Sequence, residues 1–360
     1  AMLVISNGKS TRASGALDRT MKELSLAGVE VVLFDKVGAN PVKEIVEEGG
    51  HFAKKEGCDF IVALGGGSVM DAAKVMAMYA QQPGDLWDYV AGATGKQQPL
   101  VNPVLPVIAI TTTAGTGSEV DQWGVVTNPA TNEKIGCGGM DELFPVIAVV
   151  DPELMLTVPP KFTAYQGFDA LFHSVEGYLS VVSSPMSEMV QLAAIENIGT
   201  YLPRAVKDGS DLEAREHVAF ANTMSGYSMV VGSCTSEHSM EHAMSAFHPA
   251  LPHGAGLIMI SVEYYRHFIE KHCCDERFVR MAQALGMKDA KAPEDFITGL
   301  KKLQEDCGVS DLKMSDYGIE KEESMVLAKN AKATMGGLFV CDPVPMTDEE
   351  CAAIYEKSYR

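Results

Sequence analysis

Over the first 150 residues, short apolar runs alternate with amphipathic stretches. Residues 3–6 (LVIS), 30–34 (EVVLF) and 60–64 (FIVAL) are too short for helices, rich in aliphatic side chains and closed by polar or Gly positions, which predicts buried strands. Residues 14–28 and 42–57 repeat their apolar positions at helical spacing and end on Gly. A third helix, GGGSVMDAAKVMAMYA, follows 60–64 directly. Then come VIAITTTAGTGSEV, a hairpin around TNPATNEK and the apolar VIAVV of 146–150. Strands that alternate with helices predict a mostly parallel sheet covered on both faces. After the Pro-rich DPELMLTVPP (151–160) the spacing becomes helical almost throughout, at about 163–182, 186–206, 212–231, 236–247, 254–271, 275–285, 293–306 and 322–334. The expected organisation is a dinucleotide-binding α/β domain over 1–152 and an all-helical, metal-binding domain over 153–360, with no internal repeat.

Composition narrows the partners. Lys plus Arg total 29 against 48 Asp plus Glu, a formal net charge of −19. That balance opposes nucleic acid and anionic membrane surfaces, so any anionic cofactor must be held by local backbone donors and a few placed cations. The eight cysteines form no CxxC pair, no apolar run reaches the roughly 18 residues of a membrane span, and the N-terminus lacks a signal-peptide layout. These features predict a cytoplasmic protein.

Two stretches suit phosphate. In FIVALGGGSVMDAAK, Gly65, Gly66 and Gly67 let backbone approach an anion, Ser68 can cap the following helix, and the positive helix end faces the phosphate. The alternative is a tight strand-to-helix connection. TTTAGTGSE (111–119) supplies hydroxyls and glycines after another strand. Two such loops at the ends of parallel strands predict a dinucleotide across the carboxyl edge of the sheet. Asp71 can accept from the cofactor amide or ribose, or serve as first-turn helix stabilisation.

The candidate chemistry lies further on. Asp169 and His173 stand four residues apart in TAYQGFDALFHSVEGYLS, so carboxylate and imidazole share a helix face, with Glu176 on the same face. In TSEHSMEHAMSAFHPALPHGAGLIMI, His238, His242, His248 and His253 fall within sixteen residues. Three neutral imidazoles and one carboxylate make a credible ligand set for Fe²⁺ or Zn²⁺.

GGGSVMD, TTTAGTGSEV, DPELMLTVPP, GFDALFHSVEGY and the run from His242 to PHG together resemble the iron-containing alcohol dehydrogenases, in order and over nearly the whole chain. The resemblance implies a dehydroquinate synthase-like fold, in which a metal lies in a cleft between a Rossmann-like domain and a helical domain. It further implies hydride transfer between NAD(H) or NADP(H) and a small primary alcohol or aldehyde, and a homodimer or higher homo-oligomer. It assigns the metal to Asp169, His173, His242 and His253, and the cofactor to Gly66, Gly67, Ser68, Asp71, Thr112, Thr113, Thr116 and Lys134. Many members place a second histidine four residues after the one matched by His242; here that position is Ala246, which leaves His248 as a candidate for the proton path. NAD-preferring members often carry Asp at the end of the first strand, where this chain has Asn7, so NAD and NADP both stay open. Related polyol dehydrogenases and dehydroquinate-synthase-like lyases share the fold, and a nucleotide-binding sensor is the non-enzymatic alternative.

Overall fold

The computed structural model describes residues 1–360. In chain order its regular elements begin with β1 (Met2–Ser6), α1 (Ser10–Ala13), α2 (Ala16–Leu26), β2 (Val32–Val37), α3 (Lys43–Lys55), β3 (Ile61–Gly65) and α4 (Gly67–Tyr79). β4 (Val107–Thr111), the β5–β6 hairpin (Trp123–Asn128 and Glu133–Gly138) and β7 (Ile147–Val150) follow. The helices are then α5 (Pro160–Leu179), α6 (Pro185–Lys207), α7 (Leu212–Gly232), α8 (Ser236–Phe247), α9 (His253–Glu270), α10 (Asp275–Ala284), α11 (Glu294–Asp306), α12 (Ser324–Val340) and α13 (Asp348–Ser358). Residues 1–113 and 117–157 form one compact unit; residues 114–116 and 158–360 form the other.

In the first unit five strands run in the order β2-β1-β3-β4-β7, every neighbour parallel. Alternate residues of the central strands go to opposite faces, as the two-residue period requires. Met2, Val4, Ile61 and Ala63 pack with Val46 and Ala53 of α3 and Val69, Met76 and Ala77 of α4. Leu3, Ile5, Val62 and Leu64 pack on the other side with Ala16 and Leu17 of α2. Burial on both faces is why these strands read as unbroken apolar runs.

In the second unit α5 starts with Pro160 at its first helical position and is buried along nearly its whole length. Its glycines set how closely its neighbours pack. A Cβ at Gly167 would lie 2.2 Å from Leu202 of α6, and one at Gly177 would lie 2.3 Å from Ser228 of α7. Phe168 and Phe172 belong to a buried aromatic core with Tyr265, Phe278 and Phe296. The sequence reading missed α13, which opens with a capping box between Thr347 and Glu350. It also ended α12 too early. That helix continues past 334 to Val340, interrupted only at Met335 (φ −132, ψ 42).

Candidate active site

In the α/β unit β3 runs into α4 with Gly66 as the N-cap. A Cβ at Gly66 would come within 2.7 Å of Thr113 Oγ1, and one at Gly65 within 2.6 Å of Val69. The Thr112 amide donates to the Gly65 carbonyl at 3.0 Å. The two loops of the sequence reading are therefore neighbours, packed so closely that only glycine fits. Ser68 does not cap α4, because it lies inside the first turn and its hydroxyl donates to the Ala39 carbonyl. Asp71 is bonded within the unit itself. One carboxylate oxygen accepts from Ser118 Oγ at 2.6 Å and the other from the Val125 amide at 3.0 Å. It thus pins the second loop and the hairpin to α4. Burial pushes its pKa up to about 6. Beside it the buried Lys74 ammonium binds Asp121 Oδ1 at 2.7 Å and the Ser118 carbonyl at 2.9 Å, a clamp on the same loop that sequence reasoning missed. Lys134 lies buried on β6, opposite Thr127. Asn7 is exposed just past β1, its amide donating to the Val37 carbonyl at 2.8 Å.

In the helical unit the imidazoles converge on one atom. Asp169 Oδ1 lies 3.5 Å from His173 Nδ1, 3.4 Å from His238 Nε2 and 3.4 Å from His253 Nε2. His173 and His238 stack with ring centroids 4.1 Å apart. His253 reaches this point because α9 begins against α5: a Cβ at Gly254 would stand 2.1 Å from the Tyr165 carbonyl, one turn before Asp169. Gly256 likewise lets α8 close on α9, placing Glu241 against His253.

Carboxylates behind the rings fix their orientation. His238 Nδ1 is paired with Glu176, and His253 Nδ1 with Glu241. In each case Nε2 is left facing Asp169. This carboxylate–histidine arrangement is the usual support for a metal-ligating imidazole. Glu176 also accepts from the His238 amide and from Thr235 Oγ1, both at 3.1 Å. Asp342 holds the start of α8 through the Ser236 amide (2.9 Å) and hydroxyl (2.8 Å), and burial pushes its carboxyl up to about 7. Glu241 and Asp342 were not legible from spacing. Glu176 was singled out for its helix face, which the structure turns toward His238.

Burial alone would raise Asp169, yet His173, His253 and His238 hold it well below the ordinary carboxylate range. Burial and the charge of His238 push His173 down to about 3. Burial also opposes a proton on His238, but Glu176 and Asp169 lift it to about 10. The His173 ring donates to the Gly115 carbonyl while its buried Nδ1 has no hydrogen-bond partner. A neutral imidazole with an unpartnered nitrogen beside an ionised carboxylate is a donor set for a cation. The residues present fit a divalent transition ion.

The geometry departs from the sequence reading over His242. Its ring lies beside His253, centroids 5.3 Å apart, but its Nδ1 faces Met335 Sδ at 2.9 Å. Donor atoms within 4.8 Å of one another form three overlapping groups, Asp169 with His238 and His253, His173 with Cys234 and His238, and Glu241 with His242 and His253, so His242 joins His253 but not Asp169. His238 and His242 are one helical turn apart, and the turn that enters the cluster is the one Glu176 grips. His248 stands outside it, with Nε2 3.0 Å from Glu323.

A sequence profile described as iron-containing alcohol dehydrogenase matches residues 1–152, and one for the C-terminal part of the Fe-containing alcohol dehydrogenase family matches residues 163–359. The chain belongs to the iron-containing alcohol dehydrogenase family, oxidoreductases of CH–OH donors that use iron and NAD(H). It is 38% identical to a choline dehydrogenase of Bacillus subtilis over 88% of this chain and 78% of that one. It is 35% identical to an NAD-dependent methanol dehydrogenase of Bacillus methanolicus over 89% of this chain and 82% of that one. Among solved structures, an archaeal halo-thermophilic alcohol dehydrogenase from a Red Sea brine pool superposes with a TM-score of 0.94 at 35% identity, covering 99% of this chain and 91% of that one. No helix is long and apolar enough to cross a membrane.

Proposed function

We propose that this alcohol dehydrogenase acts on small primary alcohols and the corresponding aldehydes, with its ion held by Asp169, His173, His238 and His253. The observation that carries the reading is the approach of three imidazole nitrogens to within 3.5 Å of Asp169 Oδ1. When bound, the ion supplies Lewis acidity toward the alcohol oxygen and the nicotinamide accepts hydride from the carbinol carbon. The protein holds the reacting groups in place. Glu176 and Glu241 keep Nε2 of His238 and His253 turned toward Asp169, and Asp342 fixes the helix turn that carries His238. With His238 as ligand, His242 becomes the second histidine four residues later, so Ala246 is no longer a departure. His242 replaces His248 as the proposed proton-relay residue. Gly65, Gly66, Gly67, Ser68, Thr112, Thr113, Thr116 and Lys134 remain the proposed cofactor contacts, while Asp71 supports the loop.

Two basic residues that a lyase for phosphorylated acids would need are engaged elsewhere. Arg215 binds the Val158 carbonyl and Thr163, and Arg204 pairs with Asp211 and Glu213. Eight cysteines without a disulfide support a reducing, cytoplasmic setting. Exposed Val146, Ile147 and Val149 on and beside the edge strand β7 support a homo-oligomer.

The test is reconstitution of metal-free protein with Fe²⁺ or Zn²⁺ and a panel of short alcohols and choline, following NADH formation. Turnover that requires the ion is expected. Equal activity in metal-free protein, or none with any alcohol or aldehyde, would overturn the reading.

A further inference from the structure

We propose that Met335 sets the size of alcohol this site accepts. The inference rests on the alcohol dehydrogenase reading and on the position of the ion beside Asp169. α12 leaves helical geometry at one residue only, and that residue is Met335. Its Sδ lies 2.9 Å from His242 Nδ1, and the His242 ring lies beside His253. Imidazole, imidazole and thioether therefore form a continuous row leading away from the cluster.

The row begins at the most exposed member of the cluster and passes through the buried His242. The side chains of Asp169, His173 and His238 are 4–6% exposed, whereas that of His253 is 22% exposed. An alcohol whose oxygen sits at the cluster must lead its alkyl group out on the His253 side. Met335 is half-buried there, between the buried Thr334 and two glycines. A Cβ added at Gly336 or Gly337 would meet nothing within 4 Å, so no side chain crowds α12 just past Met335. A long, unbranched, polarizable thioether in that position is suited to contact an alkyl chain and to limit its length.

The test uses Met335→Ala, Met335→Phe and Met335→Leu in metal-loaded protein, after metal content and melting temperature have been matched to wild type. kcat/KM is measured for straight-chain alcohols from ethanol to hexan-1-ol. Cobalt-substituted protein is titrated with the same alcohols, and the visible absorption of the ion reports binding without turnover. Met335→Ala should raise the hexan-1-ol to ethanol ratio about ten-fold or more, Met335→Phe should lower it by a similar factor, and the near-isosteric Met335→Leu should leave it within about two-fold. The cobalt titration should show hexan-1-ol binding tighter in Met335→Ala. Unchanged ratios and affinities in Met335→Ala and Met335→Phe would overturn the role of Met335 while leaving the dehydrogenase reading intact. Metal-loaded wild type that turns over no alcohol in the series would overturn that reading, and this inference with it.

Discussion

The α/β unit and the helical unit both bury charge, and they use it differently. In the first, Lys74 pairs with Asp121 and holds the Ser118 carbonyl, while Asp71 ties down the Ser118 hydroxyl and the Val125 amide. The groups suited to meet a dinucleotide are backbone groups exposed by glycine. In the second, one carboxylate gathers three imidazoles, two of them backed by further carboxylates. There the side chains themselves are the chemistry. A phosphate is held by many weak donors, so its site needs close backbone approach. A transition ion is held by a few strong donors, so its site needs fixed side chains.

The sharpest break in that contrast is expected at His238. Replacing it by Ala removes a donor from the Asp169 cluster, and metal content should fall with a loss of about a thousand-fold or more in kcat/KM. His242→Ala should keep its metal and lose about a hundred-fold, the scale of a proton-transfer group. Metal analysis beside steady-state kinetics separates the two. If His242→Ala loses the ion and His238→Ala keeps it, the assignment made from the sequence was correct.

In the other unit the corresponding change is Gly66→Val, whose side chain would meet Thr113 at 2.7 Å. Dinucleotide affinity should drop about ten- to a hundred-fold, in line with overpacking at a tight contact, while metal content stays at the wild-type level. Calorimetric titration with NADH checks this; unaltered affinity would remove the loop from the cofactor site.

Asp71 turns the contrast into a pH dependence. Its carboxyl titrates near 6 in the folded protein, against 3.8 for an ordinary aspartate. Between those values the folded state holds the proton more tightly than the unfolded state. Its contribution to stability is therefore full below about 3.8 and falls as pH rises toward 6. Across that window the expected loss relative to Asp71→Asn is about 3 kcal/mol. Urea unfolding of both proteins from pH 4 to 7 measures it. A constant difference would place the Asp71 carboxyl at its ordinary value.

What the sequence made legible follows the same division. Strands and helices of the α/β unit were readable because two-sided burial leaves unbroken apolar runs and glycine marks their ends. The Asp169–His173 pair was readable from its spacing alone. The choice between His238 and His242 was not, because residues four apart share a helix face. Only the packing of α8 on α5, through Glu176, decides which ring meets Asp169. The partners of Asp71 were hidden for a related reason: sequence shows a carboxylate near a phosphate loop, but not the Ser118 hydroxyl and Val125 amide brought to it from about fifty residues away. The α13 helix carried a readable signal, Thr347 followed three residues later by Glu350, ahead of an apolar face.

The smallest expected effect concerns Asn7, where backbone recognition meets a single side chain. Asn7 is exposed at the end of β1, and an amide can meet either a ribose 2′-hydroxyl or a 2′-phosphate. Two cations follow it, Lys9 and Arg12, but Arg12 is already paired with Asp35 at 2.6 Å. That pair reduces what Arg12 can offer a phosphate and leaves Lys9 as the nearer counter-charge. The wild type should therefore use both cofactors, favouring NADH modestly. Asn7→Asp adds a carboxylate that repels the 2′-phosphate and should shift the NADH to NADPH ratio of kcat/KM by about ten-fold, or roughly 1–2 kcal/mol for partly screened charges. Asp35→Asn should move the ratio the other way by releasing Arg12. The two substitutions act on opposite charges of one small surface, so opposite shifts that weaken in high salt identify it as the discriminating site. Ratios that move together, or not at all, would assign cofactor choice to another part of the unit.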